Sequence, residues 1–176
     1  MKSNIVLIGF MGTGKTAVGQ VLSKRLNRQL IEVDEAIEKI AGKTIPDIFQ
    51  DDGEIHFREL EIEAIRMAAK GEQQVVACGG GAVLNTINID RLRATGVIIN
   101  LITAPKIILK RTAKENGRRP LLNVEQPLER IKELNKFRKP FYDRAADITI
   151  NTSKLSIEAA ADKIIKRLKK YEGFNF

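Results

Sequence analysis

Residues 4–26, NIVLIGFMGTGKTAVGQVLSKRL, constrain the fold more than any other part of the chain. The apolar run at residues 4–9 reads as a buried strand. Residues 15–26 carry Val18, Val21, Leu22 and Leu26 at helical spacing and read as the helix that follows. Between them Gly9, four further residues and Gly14-Lys15-Thr16 form a glycine-rich turn that closes a strand and opens a helix.

The rest of the chain repeats that alternation. QLIEV, QVVAC, VIINLI and DITI read as four more strands. Helices are expected over residues 53–70, with Phe57, Leu60, Ala64 and Met67 or Ala68 facing inward, and near 90–94, 105–112, 127–142 and 156–170. Asp34 is expected to cap a short helix ending at Gly42, and residues 44–49 a brief one. The outcome is an α/β fold: a five-stranded parallel sheet with helices on both faces, whose ligands gather at the carboxyl ends of the strands. At 176 residues, with no repeat or linker, one domain spanning 1–176 is expected. The polar stretch at about 112–127 lies between two helices and reads as a mobile lid.

Composition narrows the partners. Hydrophobic residues at 43% and charged residues at 30% describe an ordinary globular protein. The apolar start runs into Gly14-Lys15-Thr16 instead of a cleavage site, and no run is long enough to span a bilayer, so neither export nor a membrane is expected. One cysteine, Cys78, precludes an intrachain disulfide and fits a reducing cytoplasm. A net charge of +8 admits anionic ligands of several kinds, but aromatics at 5% with no Trp disfavour a base-stacking surface. The lysines of DKIIKRLKKY oppose Ile164, Ile165 and Leu168 and read as a solvated helix face, so nucleic acid is not an expected partner.

Glycines at 9, 12 and 14 let the backbone wrap so that several N–H groups point inward, toward phosphates held at a helix N-terminus. Lys15 should reach the outer phosphates and Thr16 should offer a hydroxyl to Mg²⁺. Such a loop also serves GTPases and translocating ATPases. The guanine-reading pattern is missing, since Asn135-Lys136-Phe137 is followed by Arg138 instead of Asp. The third strand runs into Gly79-Gly80-Gly81 where a translocating ATPase carries an acidic pair.

Glu32 and Asp34 lie two residues apart, on one face if the segment is extended. One carboxylate can then face a metal and the other an acceptor hydroxyl. Three glycines in a row allow a ligand close to the backbone. Arg58, Arg118, Arg119 and Arg138 sit beside apolar residues and can grip carboxylate or phosphate through paired hydrogen bonds.

The segments GFMGTGKTAVG, VDEAIE, IPDIFQDDGEIHFRELE, VVACGGGAV, GRRPLL and FRKPFYDRAAD occur in the order and approximate spacing of shikimate kinases, a resemblance covering roughly residues 5–152. The resemblance implies a P-loop kinase fold and transfer of the ATP γ-phosphoryl group to the 3-hydroxyl of shikimate. It makes Asp34, Lys15 and Arg119 catalytic, with Asp34 binding the acceptor hydroxyl. Arg58 and Arg138 would hold the shikimate carboxylate, Gly79, Gly80 and Gly81 would border the ring, and Phe49 and Phe57 would pack beside it. Nucleotide contacts would come from Gly12, Thr13, Gly14, Lys15, Thr16 and Ala17, with Arg111 against adenine, the segment from Asn151 to Lys154 closing around it, and Arg119 descending with the lid. Arg119 is favoured over Arg118 because it directly precedes Pro120. Where the family pattern has Asp, this chain has Glu32, so Mg²⁺ arriving with ATP would be met through water. Gluconate and nucleoside monophosphate kinases share the fold but lack this combination of Arg58, triple glycine and RRPLL. The expected partners are ATP and shikimate, and the expected state a cytoplasmic monomer.

Overall fold

The computed structural model describes residues 1–113 and 124–176. Strand β1 (Asn4–Gly9) leads through the glycine-rich loop into α1 (Lys15–Leu26). Then come β2 (Gln29–Glu32), α2 (Val33–Ala41), α3 (Ile45–Asp51), α4 (Gly53–Ala68) and β3 (Gln74–Ala77). A 3₁₀ turn (Ala82–Leu84) precedes α5 (Thr86–Thr95), β4 (Gly96–Ile102) and α6 (Pro105–Thr112). The last elements are α7 (Pro127–Ala145), β5 (Ile148–Asn151) and α8 (Ile157–Leu168). Among the described residues no helix is long and apolar enough to cross a membrane.

The five strands pair in parallel, as expected from the alternation, and their order is β2-β3-β1-β4-β5. Their side chains alternate between two faces. Val6, Ile8, Val76 and Ile98 pack under α2, α4, α5 and α7, while Ile5, Leu7, Val75, Val97, Ile99 and Leu101 pack under α1 and α8. Because β1 has β3 on one side and β4 on the other, the connection that leaves β1 runs one way, to β2, and the connection that leaves β3 runs the other way, to β4. That switch opens a crevice at the strands' carboxyl ends. The loops after β1 and β3 are its two banks.

Several local expectations change. Glu32, not Asp34, holds the cap position of α2, with extended φ and ψ of −86° and 113°, and Asp34 sits inside the first turn. The cause is Val33, which is fully buried in the core and begins the helix there. Helix α5 starts four residues earlier than expected because the Asn85 side chain accepts a hydrogen bond from Ile87 N, at 3.1 Å. On α4, Ala64 and Ala68 face inward as expected, but Met67 is exposed and Glu61 is buried instead. Cys78 is buried just beyond β3, and burial pushes its thiol well above the ordinary range. His56 lies exposed on α4, with its Nδ1 3.3 Å from Glu59 Oε2.

Candidate active site

The loop after β1 is held open by glycines with left-handed backbone: φ is +73° at Gly12 and +97° at Gly14, which caps α1. At Gly9, φ is +144° and a Cβ would strike the carbonyl oxygen of Leu101 on β4, so the chain can leave β1 here only without a side chain. The first turn of α1 holds no acidic residue to neutralise its positive end. Lys15 folds back over the loop, its Nζ donating to Gly9 O at 2.9 Å and Phe10 O at 3.0 Å. The Thr13 hydroxyl donates to Phe10 O at 2.7 Å. Ala17 follows on the first turn of α1, half-buried.

Thr16 and Glu32 meet across the crevice, the hydroxyl donating to Glu32 Oε2 at 3.1 Å. Glu32 Oε1 is buried without a hydrogen-bond partner. Burial raises the pKa of this carboxyl, with the Thr16 hydrogen bond opposing the shift. A hydroxyl beside a carboxylate oxygen that lacks a partner suits a hard divalent cation, which takes oxygen ligands.

On the opposite bank each of the three glycines abuts a different ionisable side chain. A Cβ on Gly79 would lie 2.7 Å from Asp34 Oδ1, one on Gly80 3.4 Å from an Arg138 nitrogen, and one on Gly81 2.5 Å from an Arg58 nitrogen. The missing side chains are therefore what bring an acid and two guanidiniums together. Arg58, three-quarters buried, donates to Glu61 Oε2 at 3.0 Å and to Glu54 Oε1 at 3.2 Å. Arg138 lies on the buried face of α7, over the Phe10 ring, and its Nε has no partner. A buried guanidinium with an unused donor is poised for an anion. Phe49 stacks on Phe57 with centroids 4.7 Å apart; Phe57 is buried, whereas Phe49 is partly exposed.

A match along the chain agrees with this geometry. The family model described as shikimate kinase matches residues 11–169. The chain belongs to the shikimate kinase family. Among its relatives, the shikimate kinase of Thermodesulfovibrio yellowstonii is 48% identical, with 93% of each chain covered. That of Caldanaerobacter subterraneus subsp. tengcongensis is 46% identical, covering 97% of this chain and 98% of the relative. Among solved structures, shikimate kinase from Acinetobacter baumannii in complex with shikimate superposes with a TM-score of 0.92 at 35% identity, covering 98% and 96% of the two chains. The shikimate kinase family fold is thus a P-loop kinase fold, and its activity that of an ATP-dependent kinase.

Two residues of the site escaped the sequence. Glu61 is almost wholly buried; burial raises its carboxyl pKa, opposed by Arg58. Its signal was available, since it falls four residues after Phe57 on the inward stripe of α4, where a charge needs a partner. Tyr142 donates to Gly80 O at 2.6 Å, and burial pushes its phenol up to about 12. Only its spacing of one helical turn from Arg138 pointed to it. Arg111 donates to Gly12 O at 3.1 Å and Thr152 O at 3.4 Å, and Lys154 is exposed on the loop after β5. Arg118, Arg119 and most of the expected lid fall outside the described residues.

Proposed function

We infer that this chain transfers the γ-phosphoryl group of ATP to the 3-hydroxyl of shikimate, giving shikimate 3-phosphate and ADP. The observation carrying this reading is the row Gly79-Gly80-Gly81, against which Asp34, Arg138 and Arg58 converge. Two guanidiniums suit a carboxylate, and a carboxylate against the same glycine row suits an acceptor hydroxyl. Arg58 and Arg138 hold the shikimate carboxylate, with a backbone N–H from Gly80, and Phe49 and Phe57 flank the ring. That grip fixes which hydroxyl faces Asp34. Asp34 orients that hydroxyl and accepts its proton; a loose transition state asks more for orientation than for early deprotonation.

Lys15 and the N–H groups of residues 12–17 hold the phosphates, and Thr16 and Glu32 receive Mg²⁺, Glu32 through water. Bound Mg²⁺ neutralises charge on the phosphate oxygens. Arg111 and Lys154 border adenine, and the phosphate role that the resemblance gives Arg119 falls outside the described residues. The protein works as a cytoplasmic monomer of one domain. The test is ADP release with ATP and Mg²⁺, with and without shikimate. Release that requires shikimate supports the reading, whereas release driven by gluconate or a nucleoside monophosphate and not by shikimate overturns it.

A further inference from the structure

The residue that follows β5, Thr152, is 3% exposed and bonded on every side. Its hydroxyl donates to Thr13 O in the phosphate loop at 3.1 Å and lies 2.6 Å from the hydroxyl of Thr103, itself 6% exposed. A second acceptor, Ile102 O, is 3.3 Å away. The Thr152 backbone N–H donates to Ile102 O at 2.8 Å, and its carbonyl accepts from Arg111, which also donates to Gly12 O. Two buried hydroxyls at the end of the β4–β5 pair thus reach across to the loop that follows β1. Neither hydroxyl serves a helix cap or a turn of its own.

We propose that Thr152 is a positioning residue for the nucleotide phosphates, with Thr103 and Arg111 as its supports. The physical reason lies in the planarity of the peptide unit. In a trans peptide the C=O of one residue and the N–H of the next point in opposite directions. Pinning the Thr13 carbonyl toward Thr152 therefore turns the Gly14 N–H away from it, to the side of the loop that faces the crevice. Gly14 has φ of +97° and Gly12 +73°, so both peptides flanking Thr13 rotate with little steric resistance. A loop of that kind needs an outside anchor if its N–H groups are to stay aimed at an anion. Thr152 anchors one carbonyl and Arg111 the other.

The test uses the full chain and three variants: Thr152→Val, which keeps the shape and loses the hydroxyl; Thr152→Ser, which keeps the hydroxyl; and the double variant Thr103→Val/Thr152→Val. Replacing both partners of a buried hydrogen bond removes the unsatisfied hydroxyl that a single change leaves, so the double variant separates folding from positioning. Dissociation constants are measured for ATP, for inorganic tripolyphosphate, which has no base, and for shikimate, alongside the melting temperature. The expected result is that Thr152→Val weakens ATP and tripolyphosphate alike by about tenfold, the worth of one hydrogen bond. Shikimate binding should be unchanged, Thr152→Ser should bind ATP as the parent does, and the double variant should regain melting temperature without regaining ATP affinity. The proposal is overturned if ATP affinity is unaffected, if the loss is confined to ATP and spares tripolyphosphate, or if affinity returns with stability in the double variant. Because shikimate enters only as a control, failure here leaves the acceptor assignment standing, and failure of the acceptor assignment leaves this one standing.

Discussion

Replacing Gly79 with alanine perturbs the proposed acceptor site at one atom. Gly79 does not have a positive φ, so alanine is compatible with its backbone, and the only short contact of the added Cβ is Asp34 Oδ1 at 2.7 Å. The next atom, Glu61 Oε1, is 3.6 Å away, an ordinary contact. To restore an ordinary contact of 3.4 Å the Asp34 carboxylate must retreat by about 0.7 Å. A terminal carboxylate can do so at small cost to the fold, which puts the damage in the chemistry. Misplacing a reacting group by about 1 Å costs on the order of 10²-fold, so Gly79→Ala should lower kcat by roughly 10- to 100-fold. Its melting temperature and ATP affinity should stay near those of the parent. The assay is steady-state ADP release with shikimate varied, beside nucleotide binding and thermal unfolding. A variant with parental kcat would show that the glycine does not set the position of Asp34. A collapse of stability would show that the strain is borne by the backbone instead.

Asp34→Asn should stay folded and lose about 10²- to 10⁴-fold in kcat, the range of a positioned acid or base; near-parental turnover in the same assay excludes that role. Glu32→Gln should trade function for stability. Folding raises the Glu32 pKa above its ordinary value of 4.5, so ligand-free stability is highest below that value and is lost as pH rises through the folded one. Melting curves without nucleotide should therefore favour Gln at pH 8, the difference shrinking toward pH 4.5, while ADP release should need more Mg²⁺; a parent more stable than the variant at pH 8 contradicts this. Cys78 should resist thiol reagents in the folded protein, because burial disfavours its thiolate, and should react once denaturant opens the core; rapid labelling of the native chain would refute that.

What the sequence disclosed follows the range of the forces involved. The phosphate loop was legible because strand, glycines and helix are contiguous and the chemistry is made by backbone. The triple glycine was legible as a close approach, but not that each glycine faces a different charged group, since Asp34, Arg58 and Arg138 come from three separate helices. Asp34 was misjudged as a cap because a local rule for acidic residues lost to the burial of Val33, a tertiary demand. Glu61 was hidden because the reading filled the inward stripe of α4 with apolar residues. Thr152 was legible only as part of a segment beside adenine, because its partners Thr103 and Thr13 lie 49 and 139 residues away along the chain.

The central claim is that Arg58 and Arg138 read the acceptor's carboxylate. Its most direct test is a double cycle of dissociation constants at fixed salt, comparing parent and Arg58→Lys against shikimate and its methyl ester. Lysine keeps the charge but loses the paired hydrogen bonds, each worth roughly 1.5–3 kcal/mol when charge-assisted. Shikimate should then bind about 10- to 150-fold more weakly to the variant. The ester should bind the parent poorly and lose much less on substitution, with ATP affinity unchanged. If acid and ester are penalised equally, Arg58 does not read the carboxylate and the acceptor assignment loses its physical basis.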